Sequence, residues 1–276
     1  MKQSLGVWAF CLLGLWACEQ EERGLADGEV GRSLSKIVLQ EVQTLDAIPV
    51  TLTQTYLYEE NARLVSYQMK QQYAAVEPEE LTGGLTLTYH DREVTVKDEI
   101  GNEWVYAWNA ELQAADACVY RSIGGSVRSY VFTYSGVAGK TYLSGVTEYL
   151  EDAGQPFAML EIDYSNPEYP LVTKRMYEEV QQFRLDCSLA DGVPNPAQLP
   201  VHFYTELYPL SFHHAALYAR LLGDAPDVLP RCVQTLGSPY QEQCTYEYQL
   251  KNHLPVSCKI VHSEWGTRTV SYLLEE

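Results

Sequence analysis

The stretch that decides the fold is Val50-Thr51-Leu52-Thr53-Gln54-Thr55-Tyr56-Leu57-Tyr58, in which large apolar side chains recur at alternate positions. β-Branched and aromatic residues dominate it, and this composition with a period of two is typical of a β-strand that has one buried face. Glu59 to Ala62 then supply a polar turn, and Arg63-Leu64-Val65-Ser66-Tyr67 leads back. The stretch therefore predicts a β-hairpin.

The same hairpin pattern recurs along the chain, in Leu85–Tyr89 with Val94–Val96, Tyr130–Tyr134 with Tyr142–Val146, Leu160–Tyr164 with Leu171–Thr173, and Tyr246–Tyr248 with Val256–Ile260. Roughly fourteen such strands are too many for a small sandwich and favour a long meander or a closed barrel. Val94 and Val96 alternate with Glu93 and Lys97, so one face is apolar and the other is charged. We therefore expect an all-β protein, a long antiparallel meander or barrel-like sheet, with its charged face in water.

One packed helix is predicted near residues 209–222. Pro209 and Ser211 provide a turn and an N-cap, an apolar stripe follows, and Gly223 stands where helices usually end. The proline-rich segment from Gly192 to Pro200 forms an irregular joint before the helix. Because the hairpins resume after this joint in the same style, we expect one β-rich domain over residues 37–276.

The N-terminus has the features of an export signal. Lys2 is positively charged, and the apolar stretch from Leu5 to Trp16 suits a signal peptide but is too short to span a bilayer as a helix. It ends in Leu15-Trp16-Ala17-Cys18, which resembles the lipobox of bacterial lipoproteins. The resemblance implies a signal peptide over residues 1–17 and lipid attachment at Cys18. An ordinary secretory peptide with an incidental cysteine is the alternative.

The charge balance limits the partners. The chain has 37 Asp and Glu against 19 Lys and Arg, a formal net charge of -18, which disfavours nucleic acid and any membrane contact other than the lipid. Residues 18–36 are acidic, contain several glycines, and are predicted to form a flexible tether. The run Glu19-Gln20-Glu21-Glu22 resembles an acidic export signal of Bacteroidetes lipoproteins. That resemblance implies an outer-membrane location facing the exterior, with the periplasm as the alternative.

The hairpins together resemble a known family. Leu85–Tyr89, Tyr130–Tyr134, Leu160–Tyr164 and Tyr208–Ser211 follow one another along residues 37–276. In this order they are similar to a family of Bacteroidetes outer-membrane lipoproteins, a domain of unknown function with a porin-like β-fold, and the tyrosine-rich hairpins resemble YD-type repeats of bacterial surface proteins. The resemblance implies the fold and the location, and no activity comes with it.

Trp104, Tyr106 and Trp108 are the candidate ligand platform. In a strand they share one face at a spacing of ~7 Å, which suits stacking against successive sugar rings of a glycan. The alternative is that these rings fill the interior of a wide barrel. The alternative carries more weight, because the opposite face of this strand holds only Val105 and Ala107.

The cysteines beyond Cys18 contain no CxxC pair, so they do not indicate a zinc ribbon or a thioredoxin-like site. Cys244 and Cys258 fall on two strands of one predicted hairpin, on the same face. A disulfide between them and a pair of buried free thiols both fit this placement.

No motif assigns a chemical activity. His213 and His214 are adjacent, so on a helix they point about 100° apart and cannot share one metal ion without help. The chain has no GxSxG elbow, P-loop or EF-hand loop. We therefore expect no metal, no cofactor, and a non-enzymatic cell-surface binding or structural protein with a polysaccharide or protein ligand. A secreted hydrolase whose site is assembled from distant loops is the alternative.

Overall fold

The computed structural model describes residues 34–45, 48–74, 80–151, 154–188, 192–207, 215–237, 242–263 and 266–275. In this part of the chain, sixteen strands form one closed antiparallel barrel, and two short strands form a separate small sheet. The all-β, barrel-like sheet predicted from the sequence is therefore confirmed. Among the described residues, no helix has the length and apolar character needed to cross a membrane.

The barrel strands are β1 (Lys36–Leu45), β2 (Ile48–Tyr58), β3 (Leu64–Tyr73), β4 (Glu80–Tyr89), β5 (Glu93–Asp98), β6 (Glu103–Asn109), β7 (Ala114–Arg121), β8 (Val127–Val137), β9 (Lys140–Leu150), β10 (Ala158–Asp163), β11 (Leu171–Met176), β12 (Glu179–Asp186), β15 (Cys232–Leu236), β16 (Gln243–Lys251), β17 (Leu254–His262) and β18 (Gly266–Glu275). The small sheet pairs β13 (Val193–Pro194) with β14 (Val228–Leu229). Each barrel strand pairs with the next along the chain, except that β12 pairs with β15. The barrel closes where β1 pairs with β18, with Leu39 opposite Tyr272.

The hairpins predicted from the period of two are present as β2–β3, β4–β5, β8–β9, β10–β11 and β16–β17. In the first of them Tyr56 lies directly opposite Tyr67, with ring centroids 5.0 Å apart. Aromatic pairs at directly opposite positions are among the contacts that fix the register of a hairpin. The local alternation of side chains was therefore sufficient to predict these pairs of strands.

The apolar face points inward and the charged face outward, as the alternation in β5 predicts. Val94 and Val96 are 2% and 3% exposed, whereas Glu93 and Lys97 are exposed. On the outer face the Lys97 ammonium lies 2.9 Å from the Glu103 carboxylate of β6. Similar outward ion pairs join β10 to β11 and β16 to β17: Arg175–Glu161 at 3.6 Å and Lys259–Glu247 at 3.4 Å.

Between β12 and β15 the described residues leave the barrel wall, and we call residues 192–207 and 215–229 the plug. Its entry is the irregular joint predicted from the prolines, and Asn195, which is 2% exposed, organises it. The Asn195 side-chain amide donates to the carbonyls of Leu199 and Pro226, each at 2.8 Å, and its oxygen accepts from the Leu199 N–H at 2.9 Å. These bonds satisfy a buried polar side chain that would otherwise be costly to bury.

The plug carries two short helices, α1 (His202–Leu207) and α2 (Ala215–Tyr218), where the sequence predicted one helix near 209–222. Residues 208–214, which include the predicted N-cap Ser211, lie outside the described residues. The prediction was therefore wrong in missing α1 and in extending the second helix to residue 222.

The earlier end of α2 has a local cause. Arg220 adopts a left-handed φ of 56°, and its N–H donates to the Leu217 carbonyl at 3.1 Å. The next N–H, of Leu221, donates to the Ala216 carbonyl at 2.9 Å. This pair of bonds is the Schellman arrangement that terminates helices, and the left-handed position usually held by glycine is here held by arginine. Gly223, the predicted stop, instead forms a β-bridge with Tyr142.

The described residues of the plug lie inside the barrel, where they contact strands in separate sectors of the ring. Its buried residues Leu199, Phe203, Ala216, Tyr218 and Leu221 join inward residues from the barrel strands in a single hydrophobic cluster. Three of the direct contacts show this. The Tyr218 ring is stacked on Tyr56 of β2 with centroids 4.0 Å apart, and the Phe203 ring lies 5.1 Å from Phe183 of β12. The Leu221 carbonyl accepts from the Ala115 N–H of β7 at 2.7 Å.

Candidate functional site

The predicted platform residues belong to the interior. Trp104 and Tyr106 are 7% and 1% exposed and are members of the core, and Trp108 is half-buried against it. The Trp104 ring lies 4.8 Å from that of Tyr120, and the Tyr106 ring is stacked on Phe132 at 6.3 Å. A polysaccharide approaching from solvent would not reach the buried pair, so the residues fill volume, which is the alternative that the sequence left open.

The two cysteines of the β16–β17 hairpin are free thiols in the structure. Cys258 lies opposite Tyr248, whereas Cys244 lies opposite His262. Cys244 and Tyr248 are four residues apart on one strand, a distance of ~13 Å, and a disulfide needs Cα atoms within ~7 Å. The register therefore leaves buried free thiols, the second of the two interpretations. Burial raises the pKa of the Cys258 thiol to about 12.

Other predicted features lie outside the described residues. These are the signal peptide, the lipid-attachment residue Cys18, the tether as far as residue 33, and the His213-His214 pair. Among the residues that the structure does describe, no group of three or more His, Cys, Asp and Glu side chains is arranged to hold a metal ion.

A His–carboxylate pair, which the sequence did not indicate, lies inside the barrel. The plug residue His202 begins α1, and its Nε2 lies 3.9 Å from Glu41 Oε2 of β1. The other carboxylate oxygen of Glu41 accepts from Arg268 Nη1 of β18 at 3.2 Å. Burial, together with the nearby Arg268 charge, lowers the pKa of His202 to about 4, so its imidazole is neutral at pH 7. The His202 and Glu41 side chains are only 12% and 10% exposed, so the pair joins plug to wall rather than lining an open cleft.

A second buried ionic group lies on the inward face of β8 and β9. The Glu148 carboxylate, fully buried, accepts from Arg128 Nη1 at 2.7 Å and from the Tyr130 hydroxyl at 3.2 Å. Pairing with the Glu148 carboxylate raises the pKa of Arg128. Glu148 lies directly opposite Tyr130 in the register, so one strand pairing fixes both groups.

This ionic group supports an aromatic pair at one end of the barrel. The Arg128 guanidinium lies over the Phe157 ring at 5.6 Å from its centroid, and the Phe157 N–H donates to the Glu148 carbonyl at 2.7 Å. The edge-to-face partner of Phe157 is Tyr177, at 5.0 Å and 86°. Tyr177 is 77% exposed. We call Tyr177, Phe157, Arg128 and Glu148 the rim site.

Sequence reasoning missed the rim site because Phe157 and Tyr177 lie in loops, outside the alternating pattern, and because only the pairing of β8 with β9 brings Arg128 to Glu148. One signal was available: the two residues between β11 and β12 are Tyr177 and Glu178, although tight hairpin turns favour glycine and asparagine.

The outer wall carries a shallow polar groove across β4 to β7, with a volume of 510 Å³. Its floor is a ladder in which Glu103 lies opposite both Lys97 and Arg121. The Arg121 guanidinium is 3.9 Å from Glu103 and the Lys97 ammonium is 2.9 Å away, so the charges of the groove largely neutralise one another. An exposed ladder of this kind contributes little binding energy.

With this geometry in place, comparisons with known proteins identify the family. The model of a domain of unknown function (DUF4595) with porin-like fold matches residues 57–257. The chain belongs to this family. A crystal structure of a porin-like protein from Bacteroides uniformis is 32% identical, with a TM-score of 0.80, over 88% of this chain and 96% of that one.

A second porin-like protein, from Bacteroides vulgatus, is 8% identical with a TM-score of 0.54, over 87% of this chain and 97% of that one, and it shows the fold alone. No curated protein matches the chain. Membership of the DUF4595 family confirms the expected resemblance to a domain of unknown function with a porin-like fold, and a porin-like barrel is compatible with an outer-membrane location.

Proposed function

We propose that this DUF4595 protein is a lipid-anchored outer-membrane protein that acts as a closed, non-enzymatic scaffold for binding at the cell surface. The observation that carries the proposal is the barrel's polarity: its inward residues pack on the plug, and its outer wall carries charge. A water-filled pore needs a polar lumen and an apolar outer band, because hydrocarbon does not solvate charged side chains. This barrel has the opposite arrangement, with apolar and aromatic side chains facing the lumen and charged side chains on the outer wall.

The outward ion pairs support a wall that lies in water rather than in lipid. Lys97–Glu103, Arg175–Glu161 and Lys259–Glu247 occur in separate sectors of the ring. A lysine or arginine facing the middle of a bilayer from a barrel destabilises the fold by ~2–4 kcal/mol. The lipid expected at Cys18 would therefore attach the protein to the membrane.

The anchor is tested by replacing the acylated residue. Cells expressing the protein are labelled with an alkyne-bearing palmitate, and a Cys18→Ser variant serves as the comparison. We expect label on the wild type alone and release of the variant into the soluble fraction. Protease treatment of intact cells then distinguishes the exterior from the periplasm, because only an exterior barrel is cleaved before lysis. An unlabelled wild-type protein contradicts the anchor.

The closed interior is tested by conductance. Purified protein added to planar bilayers is expected to give no single-channel steps, with a general porin as the positive control. Reproducible steps would show that the plug leaves a path for ions and would refute the scaffold.

One observation favours the alternative of a secreted hydrolase, namely the His202–Glu41 pair. A neutral imidazole beside a carboxylate is a common arrangement for a general base. The low exposure of both side chains opposes this use, because a substrate has to reach the imidazole. A His202→Gln variant with hydrolytic activity lower than the wild type on any ester or glycoside panel would favour the hydrolase.

A further inference from the structure

The turn between β11 and β12 holds an exposed tyrosine in a backbone conformation that suits glycine. Tyr177 is the first residue of the loop closed by the Met176–Glu179 pair, and its φ is 54°. Bulky side chains rarely adopt this left-handed region, which glycine enters freely. The side chain is 77% exposed. Neither the turn nor the core therefore accounts for an aromatic residue at this position.

The Tyr177 ring is held in place although it is exposed. Its edge-to-face contact with Phe157 has perpendicular ring planes, so Phe157 covers at most one face of the tyrosine. At least one face is left open. Phe157 in turn lies under the Arg128 guanidinium, which the buried Glu148 carboxylate fixes at 2.7 Å. An ion pair whose carboxylate is fully buried thus orients an aromatic ring that is presented to solvent.

We propose that the rim site binds a neutral glycan by stacking one sugar ring on the open face of Tyr177. The inference rests on the proposed function as a binding protein, and it names the class of ligand. Stacking on a ring whose orientation is already fixed loses little conformational entropy on binding.

The charges around Tyr177 select a neutral ligand. Glu151 and Glu178 in the two loops and Glu179 at the start of β12 are exposed, and the described residues of these loops include no lysine or arginine. Arg128, the cation of the rim site, is already paired with Glu148. An acidic glycan would be repelled, whereas the carboxylates can accept hydrogen bonds from the hydroxyls of a neutral sugar.

The size of the site favours a sugar over a protein partner. A stable protein interface buries ~800 Å² on each partner. One aromatic side chain can bury ~150–250 Å² of surface, which is enough to contact a single sugar ring but too little for a protein interface.

The rim site lies at the opposite end of the barrel from the first residue of β1. β1 begins at Lys36 at one end of the barrel, and β11, which runs in the same direction, ends in the Tyr177 turn at the other.

The test uses the full-length protein purified in a polyoxyethylene detergent, because glycosidic detergents would compete. Native gels cast with dextran, mannan or galactan report retardation, polygalacturonate is the acidic comparison, and the same polymers are titrated by calorimetry. We expect retardation by at least one neutral polymer and not by polygalacturonate. Tyr177→Gly, which relieves the backbone and so should fold, is expected to weaken binding at least about tenfold. Tyr177→Trp should retain it.

Tyr169→Ala is the matched control, because Tyr169 is 40% exposed at the opposite end of the barrel and should leave binding unchanged. The inference is overturned if none of the neutral polymers binds, if polygalacturonate binds as tightly, or if Tyr177→Gly binds like the wild type. An acylated, surface-exposed protein that binds no neutral polymer overturns the glycan inference alone. Loss of the anchor or a conducting barrel overturns the scaffold and leaves the binding result intact.

Discussion

Removing Arg128 should destabilise the barrel strongly, because it leaves the carboxylate of Glu148 buried without its cation. The two side chains are 30% and 0% exposed and 2.7 Å apart. Breaking a buried ion pair from one side costs ~3–5 kcal/mol, and the partial exposure of Arg128 places Arg128→Met near ~3 kcal/mol. For a domain of this size that loss lowers Tm by ~6–12 °C. Urea unfolding followed by tryptophan fluorescence gives the free energies of unfolding.

The double variant separates the charge effect from packing. Arg128→Met combined with Glu148→Leu removes both charges and should fall within ~1 kcal/mol of the wild type, since an apolar pair can replace a buried ion pair. Arg175→Met is the matched control: its partner Glu161 is 53% exposed, and the expected loss is below ~1 kcal/mol. The reasoning fails if Arg128→Met loses no more than this control, or if the double variant is as unstable as the single one.

Three further measurements test the interior. Tyr218→Ala removes the ring stacked on Tyr56 and should lower the free energy of unfolding by ~3–5 kcal/mol in the same urea assay. Ellman's reagent at pH 8 should label the native thiols of Cys187 and Cys258 only after unfolding, because burial raises the pKa of each to about 12; rapid native labelling at either of these two residues, located by mass spectrometry, would contradict this burial. Burial lowers the pKa of His202 to about 4 in the folded state. Between this pKa and that of the unfolded state, the unfolded chain binds a proton at His202 and the folded protein does not. Stability from this group is therefore complete above the unfolded pKa of ~6.5 and is lost as pH falls towards 4, and His202→Gln should flatten that part of the stability profile.

The parts of the fold that could be predicted are those with a local cause. Alternation in Val94–Val96 fixes both the strand and its inward face, because successive side chains in a strand point to opposite sides. Closure could not be predicted in this way. It depends on the pairing of Leu39 with Tyr272, which are far apart in the sequence, and no short-range period encodes that contact. The end of α2 was missed because composition favours Gly223 as the stop, whereas the backbone already turns left-handed at Arg220.

The candidate site shows the same division. The common face of Trp104 and Tyr106 was predictable, but whether that face meets a ligand or the core depends on closure and on the plug. Tyr177 is recognised as unusual only once its φ and its exposure are known. The ionic group beneath it joins residues from two strands and a loop, which only the register brings together.

Strand number alone does not decide whether a barrel of this size conducts. Sixteen strands enclose an aqueous channel in general porins, where polar side chains line the lumen and apolar ones meet lipid. This chain has the same number of strands, but Tyr106, Tyr130 and Tyr246 point inward while Lys97 and Lys259 point outward. The inward tyrosine rings are more stable in contact with one another and with the plug than in contact with water, so this lumen favours side chains over water. The alternation that forms the strands therefore also determines which side chains face the lumen, and a shift of one residue along each strand would exchange the inward and outward sets.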